Sequence, residues 1–355
     1  MRTHGLLLAI CLAACATTGD AGEGDRNLPT AGVGPFRKLA AEEVKGLAPY
    51  VLEDSTALYR EPAVLAEGDA TLLYAVARVN GKDVIVRSRA LDQRSFFGTS
   101  SHFGKKPAVV LEPEKLWEVA LGGPALVHFG GDLLLYYSGA EGIGVARSAD
   151  GLVFRKEPGP ILSRDFTPDS WETTPPHAPS VYVLPNGRLR MFYAAGNAIG
   201  EAESVDGVGW QRLRPGPALS PAAPAAPGSL LPNEKPPFDT ARVGDPCVTT
   251  RTTSAGRYHV RVLYTGTDLT GATAIGFAAR YGETGALVRQ PVPVYSVGQK
   301  EAAPALLEST DGTRSFLYVQ QDRRDGNNPS FVAIAAAFAP GNVKLPPADD
   351  FPDAP

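Results

Sequence analysis

Cysteine, methionine and tryptophan are scarce in this chain: three, two and three in 355 residues. Cys11 and Cys15 fall within the first fifteen positions, so Cys247 stands alone in the remainder. That excludes an internal disulfide and a cysteine metal cluster, and the apolar start Pro246-Cys247-Val248 points to a buried structural thiol. Basic charge is not in excess either. The 34 Lys and Arg face 38 Asp and Glu, a formal net charge of −4, which argues against nucleic acid as a partner. The phosphate loop GxxxxGK[ST], the zinc pair HExxH and the nucleophile elbow GxSxG do not occur. The five His residues (His4, His102, His128, His177, His259) show no ligand spacing, so no metal and no cofactor is expected. What the chain does have is 38 Gly and 32 Pro, far above the roughly 12% that average usage assigns to the two together. Turns must be frequent and long helices rare. There is no Gly-X-Y period, and 43% apolar residues can bury a sizeable core, so the chain is neither collagenous nor disordered.

The beginning reads as an address. Arg2 supplies a positive charge and Gly5 to Ala14 is an apolar run of ten residues, half the roughly 20 that a spanning helix needs. The run ends in Leu12-Ala13-Ala14-Cys15, which resembles the bacterial lipobox, where the cysteine is lipidated and becomes the mature N-terminus. Residues 1–14 are expected to be a lipoprotein signal peptide, Cys15 the lipidation site, and 15–35 a flexible tether. The expected location is the bacterial cell envelope, with the membrane contacted through the Cys15 anchor.

Internal repetition dominates the rest. Five segments start with a proline: Glu61-Pro62-Ala63-Val64, Gly123-Pro124-Ala125-Leu126, Ala178-Pro179-Ser180-Val181, Asp245-Pro246-Cys247-Val248 and Ala303-Pro304-Ala305-Leu306. Their prolines are 62, 55, 67 and 58 residues apart. A second strand signal follows each, with Tyr74, Tyr136, Tyr193, Tyr264 and Tyr318 at its third place. A third signal follows that, as in Ile143-Gly144-Val145-Ala146-Arg147-Ser148 and Ile199-Gly200-Glu201-Ala202-Glu203-Ser204. Two repeats continue into Ser148-Ala149-Asp150-Gly151-Leu152-Val153-Phe154 and Ser204-Val205-Asp206-Gly207-Val208-Gly209-Trp210, where Asp-Gly supplies the positive φ of a hairpin turn. These stretches resemble the Asp-box of propeller proteins. Four short antiparallel strands repeated five times predict an all-β, five-bladed β-propeller over 36–339, closed by a strand from residues near 36 to 56, with a Pro-rich tail at 340–355. A proline-rich segment at 215–237 is expected to lie over one face as an ordered loop.

The blade pattern of Pro124 to Phe154 is similar to that of five-bladed glycoside hydrolases: the arabinanase and β-xylosidase family, the invertase-like family and the mannoside phosphorylase family. The resemblance covers about 56 to 338 and implies a carbohydrate at the mouth of the central funnel. In such propellers an Asp precedes the first blade's proline and later blades contribute an Asp and a Glu. Glycoside hydrolysis uses two such carboxyls, one a proton donor, the other a base or nucleophile. Here Glu61 stands in the first blade and Asp245 in the fourth, a Glu/Asp exchange relative to the family pattern, and the second blade has only Gly122-Gly123. Glu61 and Asp245 are therefore the candidate catalytic acids. His177 is a third candidate, either as an acid or as a hydrogen-bonding wall residue. Arg60 and Arg242 are placed to hold those acids ionised or to bind an anionic group. Asp169, Trp171, Glu172 and Glu301 are candidate sugar contacts, with Trp171 as a stacking platform. Two functions stay open: hydrolysis of a carbohydrate, and a carbohydrate- or partner-binding propeller without turnover. A monomer is expected.

Overall fold

The computed structural model describes residues 36–40, 50–52, 58–91, 93, 96, 107–226, 235–252, 258–308, 315–325 and 328–339. The expected signal peptide, the tether with Cys15, and the 340–355 tail lie outside these residues. One 3-10 turn, Leu116–Glu118, interrupts an otherwise all-β architecture, and no helix of the described residues is long and apolar enough to cross a membrane.

Two short strands come first, β1 (Arg37–Lys38) and β2 (Tyr50–Leu52). The first complete sheet joins β3 (Tyr59–Glu67), β4 (Ala70–Val79), β5 (Lys82–Ala90) and β6 (Ala108–Leu111). The second joins β7 (Gly122–Phe129), β8 (Asp132–Gly139), β9 (Gly142–Ser148) and β10 (Arg155–Lys156), with β11 (Leu162–Ser163) returning to β9. The third is β12 (His177–Val183), β13 (Leu189–Ala195), β14 (Ala198–Ser204) and β15 (Trp210–Arg212). The fourth is β16 (Arg242–Thr252), β17 (Tyr258–Thr267), β18 (Thr273–Tyr281) and β19 (Val288–Arg289). These four sheets are antiparallel meanders in chain order, and they form four blades of a propeller. A further sheet takes β20 (Ala302–Glu308), β21 (Ser315–Asp325) and β22 (Asn328–Ala339), with β1 outermost and β2 also paired to β22.

Apolar side chains fill the space between sheets. The packed clusters straddle adjacent sheets, as where Leu134, Tyr136 and Val145 meet Leu189, Met191 and Ala202. The period-2 alternation of each middle strand explains this, since both of its faces are covered by neighbouring blades. β4, β8 and β13 are accordingly buried along nearly their whole length.

The repeated tyrosine of the sequence pattern resolves into two roles. Tyr74, Tyr136 and Tyr318 pair in register with Ala63, Ala125 and Ala305 and send their hydroxyls to carbonyls outside their own sheets, Gly151 (2.8 Å), Gly207 (2.9 Å) and Gln93 (2.7 Å) respectively. Tyr193 and Tyr264 stand one residue later in register, as does Tyr137, and so point to the opposite face. Spacing to proline alone merges the two sets. On the second face each hydroxyl meets a buried acid: Tyr137 meets Glu118 (2.7 Å), Tyr193 Glu172 (2.8 Å) and Tyr264 Asp239 (2.8 Å). An aromatic beside each acid stacks on the same tyrosine: Trp117 on Tyr137, Trp171 on Tyr193, Phe238 on Tyr264. A cation from the outer strand closes the group, Lys156, Arg212 and Arg289 in turn. Glycines make the stacking possible: a Cβ at Gly144 would lie 2.5 Å from Trp117, and one at Gly200 2.8 Å from Trp171.

The two SxDG stretches close as Asp-box turns. Asp150 Oδ1 accepts from the N–H groups of Leu152 (2.9 Å) and Val153 (3.0 Å), and Asp206 Oδ1 from those of Val208 (2.9 Å) and Gly209 (2.8 Å). Phe154 and Trp210 pack edge-on against Tyr74 and Tyr136 of the preceding blade. Of the 215–237 segment, residues 215–226 and 235–237 are described; Leu219 bridges to Ile199 and the Ala222 N–H donates to the Asp239 carbonyl, so this part lies against the third and fourth blades. Cys247 is half-buried beside Leu306 and Glu308, and burial pushes its thiol up to about 11, which keeps it protonated at neutral pH.

Candidate functional site

The inner strands β3, β7, β12, β16 and β20 neighbour one another in ring order, with β20 beside β3. The residues before their prolines therefore converge on one axis. Each sits at a β-bulge, between Arg60 and Ala63, Gly122 and Ala125, His177 and Ser180, Gly244 and Cys247, and Ala302 and Ala305. Proline lacks the N–H that a regular ladder needs, and the bulge accommodates it. The residue before each proline adopts positive φ: Glu61 +52°, Gly123 +48°, Ala178 +46°, Asp245 +47° and Ala303 +49°. Four of these are not glycine, so side chains are held in strained backbone where the blades meet.

Glu61 is the most constrained of the expected acids. Its Oε1 accepts from Arg60 Nε (3.0 Å) and its Oε2 from the Gly123 N–H of the second blade. Arg60 is itself locked by Asp83, at 3.0 and 3.2 Å, and Arg78 shares that buried carboxylate. Burial raises the Glu61 pKa, the Arg60 charge and the Gly123 N–H oppose the rise, and the Asp245 charge adds to it. Carboxyls of the first and fourth blades thus feel each other. The empty position in the second blade has a physical reason: a Cβ on Gly122 would lie 2.8 Å from Glu61 Oε2. The longer Glu of the first blade occupies the space that a side chain on the second would need.

The third and fourth blades supply His177, Arg242 and Asp245. His177 Nδ1 lies 3.0 Å from the Pro175 carbonyl and Nε2 3.4 Å from Arg242 Nη2. A carbonyl can only accept and a guanidinium can only donate, so these partners assign the proton to Nδ1 and leave Nε2 as an acceptor. These contacts set His177 in the wall beside Arg242, the second of its two expected roles. Arg242 folds back over Gly244, where a Cβ would meet its guanidinium at 2.8 Å, and it reaches Asp245 Oδ1 at 3.7 Å. Its side chain keeps 38% exposure and that of Asp245 keeps 19%, so both remain open to a ligand.

The remaining expected contacts are placed elsewhere. Glu172 is fully buried, its oxygens taken by Tyr193, Arg212 and the Asp165 N–H. Trp171 is stacked on Tyr193 within the same wedge. Glu301 is fully buried and its Oε1 accepts from the N–H groups of Val297 (2.9 Å) and Gln299 (2.8 Å), which ties a loop. Glu172 and Glu301 serve the blades rather than the funnel, a correction that their burial imposes, while Trp171 is half-buried and stacks on Tyr193. A signal for two of them was present in the sequence: Trp117-Glu118, Trp171-Glu172 and Phe238-Asp239 are one aromatic–acid pair, its acid six or seven residues before a proline. Asp169 is exposed in a left-handed turn. Sequence reasoning missed Asp83, whose role comes from cross-strand pairing with Arg78. Among the described residues no three His, Cys, Asp or Glu side chains are gathered to hold a metal.

No protein-family model matches the sequence, and no curated protein is similar to it. Solved structures are similar in fold. The BT0996 complex with RGII superposes with TM-score 0.59 at 18% identity, over 86% of this protein and 96% of the other. A fructofuranosidase from Schwanniomyces occidentalis, complexed with fructosylnystose, gives TM-score 0.58 at 11% identity, over 85% of this protein and 60% of the other. The endo-arabinase of Bacteroides thetaiotaomicron gives 0.52 at 14% identity, over 83% and 98%. The protein has the propeller fold of glycoside hydrolases of these kinds.

Proposed function

We propose that this chain is a five-bladed propeller that binds a carbohydrate at the funnel mouth and hydrolyses it there with Glu61 and Asp245. The carrying observation is that Glu61 and Asp245 occupy equivalent pre-proline bulges of two blades, at φ +52° and +47°, with the Asp245 charge among the causes that raise the Glu61 pKa. Glycoside hydrolysis needs two carboxyls of unequal proton affinity across one bond. Glu61 would protonate the leaving oxygen, and Asp245 would direct water or attack the anomeric carbon. Arg242 and His177 would orient the sugar and Asp245. The five-bladed count rests on the five equivalent bulges and on β20 lying beside β3. Under this reading residues 36–339 form one ring, β1 and β2 complete its last blade, and Cys15 anchors the domain to the envelope by lipid.

Binding without turnover is the second reading, and one observation favours it: both Glu61 oxygens are already engaged, by Arg60 and by the Gly123 N–H. A panel of glycans and aryl glycosides assayed with the soluble domain separates the two. Turnover that falls about a hundredfold or more in both Glu61→Gln and Asp245→Asn supports hydrolysis. Binding by calorimetry with no turnover in the unmodified protein leaves the lectin-like reading, and no binding of any glycan ends both. Palmitate labelling that persists in Cys15→Ala would remove the anchor.

A further inference from the structure

The five backbone N–H groups at the pre-proline bulges share one conformation, and four are taken by a side chain of a neighbouring blade. Gln320 Oε1 accepts from the Glu61 N–H (3.3 Å), Glu61 Oε2 from the Gly123 N–H, Ser138 Oγ from the Ala178 N–H (2.8 Å) and Thr265 Oγ1 from the Ala303 N–H (2.9 Å). Gln320, Ser138 and Thr265 occupy one register position, opposite Ala302, Gly122 and Gly244. The same position is Val76 in the first blade, opposite Arg60, and there the Glu61 carboxylate substitutes for the missing acceptor. In the third blade the position is Ala194, opposite His177, and the Glu61 equivalent is Ala178. That blade offers the Asp245 N–H neither device, and among the described residues no side chain caps it.

We propose that the Asp245 N–H is a ligand subsite in which a sugar hydroxyl takes the place that Ser138 and Thr265 hydroxyls fill in their own blades. The chemistry selects an alcohol. The protein's own caps at this register include two hydroxyls, and a hydroxyl can accept from the N–H while donating to the Asp245 carboxylate. Arg242, 3.7 Å from Asp245 Oδ1, adds a second donor for a neighbouring oxygen, so the site suits vicinal hydroxyls. An apolar residue at 194 is then a functional choice, since it keeps the donor vacant. The proposal rests on the carbohydrate reading above and names where that sugar is held.

Ala194→Ser tests it by installing the cap seen in the preceding blade, with Ala194→Thr, copying Thr265, as the second variant. Amide hydrogen exchange is read at Asp245, Ala178 and Ala303, and affinity by calorimetry with arabino-, xylo- and fructo-oligosaccharides as probes. In the unmodified protein the Asp245 amide is expected to exchange faster than the other two and to slow when a probe binds. In a variant it is expected to be slow without ligand, with affinity weakened about tenfold, the scale of one lost hydrogen bond. An Asp245 amide as slow as that of Ala178 in the free protein overturns the proposal. So does a probe that binds both proteins equally once the variant's amide is protected, and in that case the carbohydrate reading survives. If the amide is open and none of the probes binds, the sugar reading falls and the subsite with it.

Discussion

Glu61 shows how little a residue's identity says about its chemistry before its neighbours are known. A glutamate before proline can cap a turn, bind a cation or donate a proton. Here it contacts Arg60 and the Gly123 N–H, while burial and Asp245 favour its protonated form. The net direction is upward, so the proton is held more tightly than in water. If Glu61 is the acid, activity needs that proton and falls as pH rises through the raised pKa. Arg60 works in the opposite direction, lowering the pKa, so its removal must move the falling limb further up. Arg60→Met is expected to shift the alkaline limb of the pH–rate profile, or the carbon-13 titration of the Glu61 carboxyl, to higher pH. A shift to lower pH, or none, would mean that Arg60 does not act on Glu61's proton. Asp83→Asn releases Arg60 and is expected to disturb the same titration, because Asp83 is what holds the guanidinium in place.

Single turns carry much of the element-scale order. In both Asp-boxes one carboxylate oxygen accepts two backbone N–H groups, and a serine hydroxyl accepts from the glycine N–H: Ser148 from Gly151 and Ser204 from Gly207, both at 2.9 Å. These bonds favour the ionised form. They hold Asp150 down to about 2, the Val153 N–H acting most, and depress Asp206 as well, the Val208 N–H leading. A depressed carboxyl contributes stability above its unfolded pKa and loses it as pH falls through the folded one. The Asp-box contribution is therefore expected to be full at neutral pH and to vanish on acidification from about pH 4 to about pH 2, the unfolded range being that of free Asp. Asp206→Asn should lower Tm at neutral pH and leave it nearly unchanged at the acid end; an equal loss at both would exclude the charge as the cause. These turns were legible in the sequence because their geometry is a matter of a few consecutive residues: serine, aspartate, glycine, then an aromatic. The acid–tyrosine wedges were not, although Trp117-Glu118 and its two counterparts repeat in plain view. Their partners Tyr137, Tyr193 and Tyr264 differ by one register step from Tyr74 and Tyr136, and one step reverses the face of a strand.

At the scale of the molecule, adjacent blades are joined by charge as well as by apolar packing. Glu201 of the third blade is fully buried, bonded to Arg190 (3.0 Å) of its own blade and to Arg280 (3.0 Å) of the fourth, with Arg214 at 3.1 Å. Arg190 also holds Glu203. Burial alone would raise the Glu201 pKa, but the guanidiniums, Arg280 foremost, hold it below the usual range. Glu201→Ala would leave two buried guanidiniums without their shared partner, and is expected to cost about 3–5 kcal/mol in denaturant unfolding. A loss below about 1 kcal/mol, the scale of a surface pair, would show that the network is solvated. Proline spacing, Asp-Gly turns and strand periodicity were enough to identify a propeller, because each is a local rule repeated along the chain. The same pattern put Glu61 and Asp245 at the inner-strand starts, since the bulge before each proline aims that residue at the axis. Whether a given carboxyl is free, bonded or buried depended on residues of other elements, some 40 to 65 positions away along the chain. Glu61 meets Gly123, His177 meets Arg242, and Glu172 is consumed by Arg212. Those encounters arise only when the strands and blades close against one another, so the tertiary structure alone decided which acids face the funnel.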